Sequence, residues 1–280
     1  MKKQQRFVWY VMVLSLLVFC IGKPLNAQTI LFSENFESYT VGQSMSGLNP
    51  GDGNSNNWIT GNTALTQGSV VGSGSSTGGS GANNQVGQYF RNDNTEAAQP
   101  TLRRVFTAQT NPFEVSFKLR IDNASSDTYQ LILHDITDGS KSPIRFRFSA
   151  NSFTAYGSST APPTSTNQFE TLISSGNVRT GNWYEVRIFV DPSTQTFQTS
   201  VMNLDSTDTG QSATSSLMTY FLADTHTINR FAIEQASTTS ITSISIDDIL
   251  ITAIPEPVTA GLLGVAGTVM LLGMRRNRRR

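Results

Sequence analysis

The chain has 280 residues, 20 Lys+Arg against 20 Asp+Glu, 14% charged residues, 22 Gly, 16 Phe and a single Cys. A formal charge of zero disfavours a nucleic-acid binder, which needs a basic balance or patch, and one Cys excludes a disulfide-stapled scaffold. The length admits one large domain or two small ones, and the composition points to β-structure rather than helix.

At the start, Lys2, Lys3 and Arg6 precede an apolar run from Phe7 to Ile21, and Leu25-Asn26-Ala27 supplies a small residue at a cleavage point. This is the pattern of a secretory signal peptide over residues 1–27, cut after Ala27 by signal peptidase. The apolar run falls short of the ~20 residues that a membrane span needs. Cys20 lies in the leader, so residues 28–254 contain no cysteine and use neither a disulfide nor a thiol nucleophile.

Residues 28–254 show repeated alternation with period two, the mark of strands with one wet face. Val115, Phe117, Leu119 and Ile121 alternate with Glu114, Ser116, Lys118 and Arg120. Ile144, Phe146 and Phe148 alternate with Arg145 and Arg147, and Tyr184, Val186, Ile188 and Val190 with Glu185, Arg187 and Phe189. Further strands are expected at Tyr129 to Leu133, Phe197 to Val201, Arg230 to Ile233 and Ile241 to Ile251, with turns at Thr137 to Ser140 and Asp191 to Ser193. Residues 68–87 are biased to Gly, Ser and Asn and read as a loop or an extended strand edge. The best helical stretch, Ser215 to Leu222, is short. Many such strands at short spacing predict an all-β, antiparallel two-sheet sandwich. In Ile244 to Ile251 the isoleucines change from even to odd positions, so a β-bulge is expected at Asp247-Asp248.

The C-terminal residues 255–280 mirror the leader. Pro255-Glu256-Pro257 leads into an apolar stretch, Val258 to Met274, and then Arg275, Arg276, Arg278, Arg279 and Arg280. As a helix those 17 apolar residues reach about 26 Å, close to the ~30 Å hydrocarbon core of a bilayer. The arginines then stay cytoplasmic and act as a membrane stop. With both basic ends set aside, residues 28–254 keep 11 basic against 19 acidic residues, a net of −8. That balance favours solubility, and Ca²⁺ or neutral rather than acidic glycans as ligands.

The order of Pro-Glu-Pro, short apolar helix and terminal arginine cluster resembles the PEP-CTERM sorting signal of Gram-negative bacteria. Ile254 stands where that family commonly has Val. The resemblance implies processing by an exosortase near Pro255, Glu256 and Pro257. It also implies an inner-membrane-anchored intermediate and a final place at the cell surface or in the extracellular matrix. In the middle, Thr180-Gly181-Asn182-Trp183-Tyr184-Glu185-Val186-Arg187-Ile188-Phe189-Val190-Asp191 resembles a strand of concanavalin-like and laminin-G-like jelly rolls. Phe36-Glu37-Ser38-Tyr39-Thr40-Val41-Gly42 and Ile246-Asp247-Asp248-Ile249 fit the same group, which implies a jelly-roll sandwich. In such folds an early Phe-Glu and a late Asp-Asp meet where first and last strands pair. Glu37, Asp247 and Asp248 are therefore the candidate ligands of a structural Ca²⁺, with solvation or turn hydrogen bonds as the alternative.

That group spans glycan-binding modules, glycoside hydrolases and polysaccharide lyases. A clustered Glu-x-Asp-x-(x)-Glu is absent, Glu114, Glu170, Glu185 and Glu234 stand singly, and His134 and His226 fit no metal or triad motif and read as surface or turn residues. No catalytic residue is assigned. For glycan binding, Trp58, Tyr89, Tyr156 and Trp183 offer rings for stacking, and Arg145, Arg147 and Arg187 on an outward strand face offer charge for acidic polysaccharide, although Trp183 reads better as core and the arginines as a solvated face. The expectation is an exported surface or matrix protein with extracellular polysaccharide as candidate partner, with a secreted glycoside hydrolase or lyase as the alternative.

Overall fold

A computed structural model describes residues 28–48, 57–61, 66–72, 85–91, 101–122, 128–135, 143–158, 167–205, 211–221, 227–235 and 243–254. Thr29–Ile254 form one compact unit. The leader with Ala27, the Pro255-Glu256-Pro257 motif, the apolar segment 258–274 and the terminal arginines lie outside the described residues, as do the turn at 137–140 and His226. Among the described residues no helix is long and apolar enough to cross a membrane.

In chain order the strands are β1 (Thr29–Glu34), β2 (Ile59–Gly61), β3 (Thr66–Gly72), β4 (Gln85–Arg91), β5 (Thr101–Gln109), β6 (Phe113–Ile121), β7 (Tyr129–His134) and β8 (Ile144–Phe148). They continue with β9 (Phe153–Ser158), β10 (Asn167–Ile173), β11 (Trp183–Asp191), β12 (Thr196–Asn203), β13 (Ser212–Thr214), β14 (Met218–Thr219), β15 (Ile228–Gln235) and β16 (Ser243–Ala253). Every pairing is antiparallel. One sheet runs β2-β5-β15-β7-β8-β9 with β10 beside β9, and the other runs β12-β11-β6-β16-β4-β3 with β1 beside β16. The short β14 links them, bonded to β9 at Thr219 and Ser158 alone.

The two sheets face each other as a jelly-roll sandwich because each strand turns alternate apolar side chains inward. In β6, Phe113, Val115, Phe117, Leu119 and Ile121 are buried while the intervening residues are partly exposed. Phe117 meets Phe231 of the facing sheet edge-on at 5.9 Å, and Phe153 meets Tyr184 at 4.7 Å. Such edge-to-face contacts add to the ~1.5–3 kcal/mol that burying each large apolar side chain contributes. The turn at Asp191 forms as expected, its Oδ1 accepting the Ser193 and Thr194 amides at 2.9 and 3.3 Å.

The described part of the Gly-rich stretch 68–87 is an extended strand edge, one of its two expected forms: β3 and β4 pair from Thr66↔Arg91 to Gly72↔Gln85, with β3 on the sheet edge. Val70, Val71 and Val86 supply β-branched character among the glycines. Ser215 to Phe221 is extended rather than helical. The Ser215 amide donates to the Thr199 carbonyl at 2.8 Å and its Oγ accepts the Thr199 amide at 3.0 Å, so inter-strand bonds win over a short helix.

Candidate functional site

Two places concentrate polar chemistry. The first is the junction on β16 where β4 gives way to β1 as its neighbour: β4 pairs with Ser243 to Ile246, and β1 with Ile249 to Ala253. Between them β16 bulges, with Asp247 opposite Lys118 and Leu250 opposite Ser116. The extra residue moves the inward set from Ile244 and Ile246 to Ile249 and Ile251, as the isoleucine pattern requires. Asp248 takes the left-handed conformation (φ 48°), and its carboxylate lies 2.8 Å from Lys118 Nζ.

Glu34 ends β1 at the same junction and is only 3% exposed. Its carboxylate accepts the Phe36 amide at 2.8 Å, Tyr39 Oη at 2.8 Å and Trp58 Nε1 at 3.1 Å. Burial pushes its pKa up, against these donors and the Arg104 charge, which pull it down. The carboxylate thus clasps the turn after β1, holding Phe36 at φ 58° with its ring against Gly87 of β4. Glu37 Oε1 accepts the amide of Gln85, the first residue of β4, at 2.7 Å. First and last strands do pair, but Glu37 and Asp248 each hold a protein partner and Asp247 is fully buried. Among the described residues no group of three or more His, Cys, Asp or Glu gathers as for a metal.

The second place is the outer face of β5-β15-β7-β8-β9-β10. Here the side chains opposite in parity to the core form rows across the strands. One row runs Ile59, Arg103, Ala232, Ile132, Arg145, Tyr156 and Phe169, each paired with the next. Its neighbours contribute Arg147, Gln130 and Glu234 on one side, and His134 and Arg230 on the other. Phe169 is 64% exposed, with its ring 5.9 Å from that of Tyr156. The Arg147 guanidinium lies 4.4 Å over Tyr156 and donates from Nη1 to its Oη at 3.2 Å, while Arg145 lies 4.9 Å over Phe221. Gln130 Nε2 donates to Glu234 Oε2 at 3.1 Å.

Among the described residues no carboxylate comes within 4 Å of Arg103, Arg145, Arg147 or Arg230. His134 is 6% exposed, and neither ring nitrogen has a hydrogen-bond partner. Burial, then Arg230 and Arg103, lower its pKa to about 4, so the imidazole is neutral at pH 7. Burial and the neighbouring Arg147 push Arg145 down, and burial and Arg103 do the same to Arg230. Both guanidinium groups stay charged all the same.

The structure sorts the residues singled out for glycan contact. Arg145, Arg147 and Tyr156 come together on this face, and Arg187 does not: it lies on β11 in the other sheet, 53% exposed, donating to Glu185 at 2.8 Å. Trp58 is buried, clasped by Glu34, and Trp183 is fully buried with Arg120 5.0 Å over its ring. Tyr89 belongs to β4, with its side chain outside the described residues. His134 is a buried residue of β7 rather than a surface or turn residue. Arg103, Arg230, Gln130 and Phe169 were not singled out in the sequence. Arg103 and Phe169 lie in strands for which no alternation was read, and Arg230 becomes notable only once β15 is set beside β5. Of the four lone acids, Glu170 accepts from Ser216, Glu185 from Arg187 and Glu234 from Gln130.

No family model matches the chain, and no curated relative does. Among solved structures, the carbohydrate esterase vb_24B_21 from Shiga toxin-encoding bacteriophage phi24B overlaps 82% of this chain and 100% of its own, at 11% identity and a TM-score of 0.50. This is a likeness of fold. The binding domain of botulinum neurotoxin serotype D (81% of this chain, 48% of that one, 10% identity, TM-score 0.46) also matches. Lectin II from Ulex europaeus does too (81% and 100%, 12% identity, TM-score 0.42).

Proposed function

We propose that the protein is an exported surface or extracellular-matrix protein whose jelly roll binds glycan on the outer face of the β5-β15-β7-β8-β9-β10 sheet. The carrying observation is the exposed Phe169 ring beside Tyr156, itself fixed by Arg147 stacking and hydrogen bonding. Aromatic faces pack against the apolar faces of sugar rings, and the Phe169 ring is exposed next to that of Tyr156. Neighbouring Arg145 and Glu234, the latter held by Gln130, provide the polar groups that fix a sugar's orientation. The overlap with a carbohydrate esterase supports this through the fold alone.

Export rests on the signal-peptide pattern of residues 1–27, and surface placement on the Pro255-Glu256-Pro257 signal, processed by an exosortase after membrane insertion. The purified full chain applied to a glycan array tests the binding claim. Retention on a defined subset of glycans, lost in Phe169→Ala, is expected. Absence of binding to every glycan, or binding indifferent to Phe169, refutes it.

A further inference from the structure

We infer that this face takes an acidic polysaccharide, one whose carboxylate or sulfate groups seat against Arg103, Arg230, Arg145 and Arg147 while a sugar ring lies on Tyr156 and Phe169. The inference rests on the glycan reading above and adds the chemical class of the glycan.

Charge placement is the first argument. The domain is acidic as a whole, with a net of −8 between residues 28 and 254, yet four arginines gather on one face of one sheet. The acids that face them are Glu234, which already accepts from Gln130, and Asp135 at the end of β7. None of the four arginines has an ion pair among the described residues. Like charges held together without an ion pair destabilise a fold; after burial, Arg147 is the next cause that lowers Arg145, and Arg103 the next that lowers Arg230. A ligand that brings anions relieves that repulsion, and it does so through guanidinium forks that match carboxylate and sulfate geometry.

Layout is the second. Between Arg103 and Arg145 the row holds only Ala232 and Ile132, both buried, so the cations stand on either side of an apolar stretch that carries no charge of its own. From β5 to β10 the row crosses five inter-strand gaps, about 24 Å at ~4.8 Å each. That is a strip for an extended chain rather than a pocket for one small anion. The aromatic pair stands at one end of the strip, and His134, with both ring nitrogens unpaired, lies among Arg230 and Arg103 near the other. A buried polar ring left unpaired costs stability, which is the mark of a group kept for a ligand.

The test compares binding of the purified full chain to polygalacturonate, dextran sulfate, uncharged dextran and single-stranded poly-dT by fluorescence titration at two salt concentrations. Tight binding to polygalacturonate, dextran sulfate or both, weakened by salt and at least tenfold tighter than to dextran, is expected; which of the two binds names the anionic group. Arg145→Gln with Arg147→Gln, and separately Arg103→Gln, should each lower that affinity at least tenfold. Arg187→Gln on the other sheet should leave it unchanged. Equal binding to dextran and the acidic chains overturns this inference and leaves the glycan reading standing. Binding to no glycan overturns both, and equal affinity for poly-dT overturns the assignment to a glycan.

Discussion

His134 makes the candidate face testable without any ligand. Its pKa falls from 6.5 to about 4 because the imidazole is buried beside Arg230 and Arg103. In the unfolded chain it takes a proton as pH drops through 6.5, whereas in the folded protein it resists until about 4. The unfolded state therefore binds more protons across that window, and stability is lost as pH falls. At 1.36 kcal/mol per unit the full loss is about 3 kcal/mol, or roughly 6–12 °C in melting temperature for a domain of this size. Glu34 acts in the opposite sense. Its raised pKa means that its contribution is complete below its ordinary value of 4.5 and is lost as pH rises through the folded value. The clean quantity is therefore the difference between wild type and His134→Gln, which keeps a polar side chain and does not titrate. Urea unfolding at pH 7, 5.5 and 4 should show wild type losing about 3 kcal/mol more than His134→Gln on acidification. Parallel losses in the two proteins would mean that His134 titrates as it does in water, and the description of an imidazole buried beside Arg230 and Arg103 would fail.

Other expectations follow from the junction and the ends of the chain. A Cβ on Gly87 comes 2.6 Å from the Phe36 ring, so Gly87→Ala should cost about 1–3 kcal/mol; a Phe36→Leu partner change should recover part of it, and two independent, additive losses in melting experiments would argue against the contact. Glu37 and Asp248 already bond Gln85 and Lys118, so a chelator should leave the melting temperature unchanged; a drop of several degrees would instead support a bound Ca²⁺ at Glu37, Asp247 and Asp248. Changing Pro255 and Pro257 to Ala should trap the protein in the inner-membrane fraction, and release equal to wild type would remove the sorting proposal.

Strand positions were legible because burial in a sandwich imposes a period of two on the sequence. Phe113 to Ile121 alternates without interruption and is a strand over that span. Even the bulge at Asp247-Asp248 could be read, since a one-residue phase change in a run of isoleucines has no other outcome in a sheet with one buried face. Local reading fails where long-range pairing decides. Ser215 to Phe221 has some helical character in isolation, but Thr199 draws it into the ladder. The arginine face is harder still. Arg103, Arg145, Arg147 and Arg230 come from three strands far apart in the chain, and only the order β5-β15-β7-β8 makes them neighbours. A net charge of −8 over residues 28–254 averages over this placement, whereas charge acts through where it is placed. His134 was equally hidden: in sequence it is one isolated histidine, and its burial becomes visible only once β7 is set between β15 and β8.

The account stands on glycan contact at one particular face, and calorimetric titration of the full chain with an acidic oligosaccharide tests that most directly when three proteins are compared. Wild type should bind, the double change Tyr156→Ala with Phe169→Ala should lose at least tenfold in affinity, and Arg187→Gln on the opposite sheet should match wild type. Equal affinity in all three, or loss in Arg187→Gln alone, would place the ligand elsewhere and contradict the account.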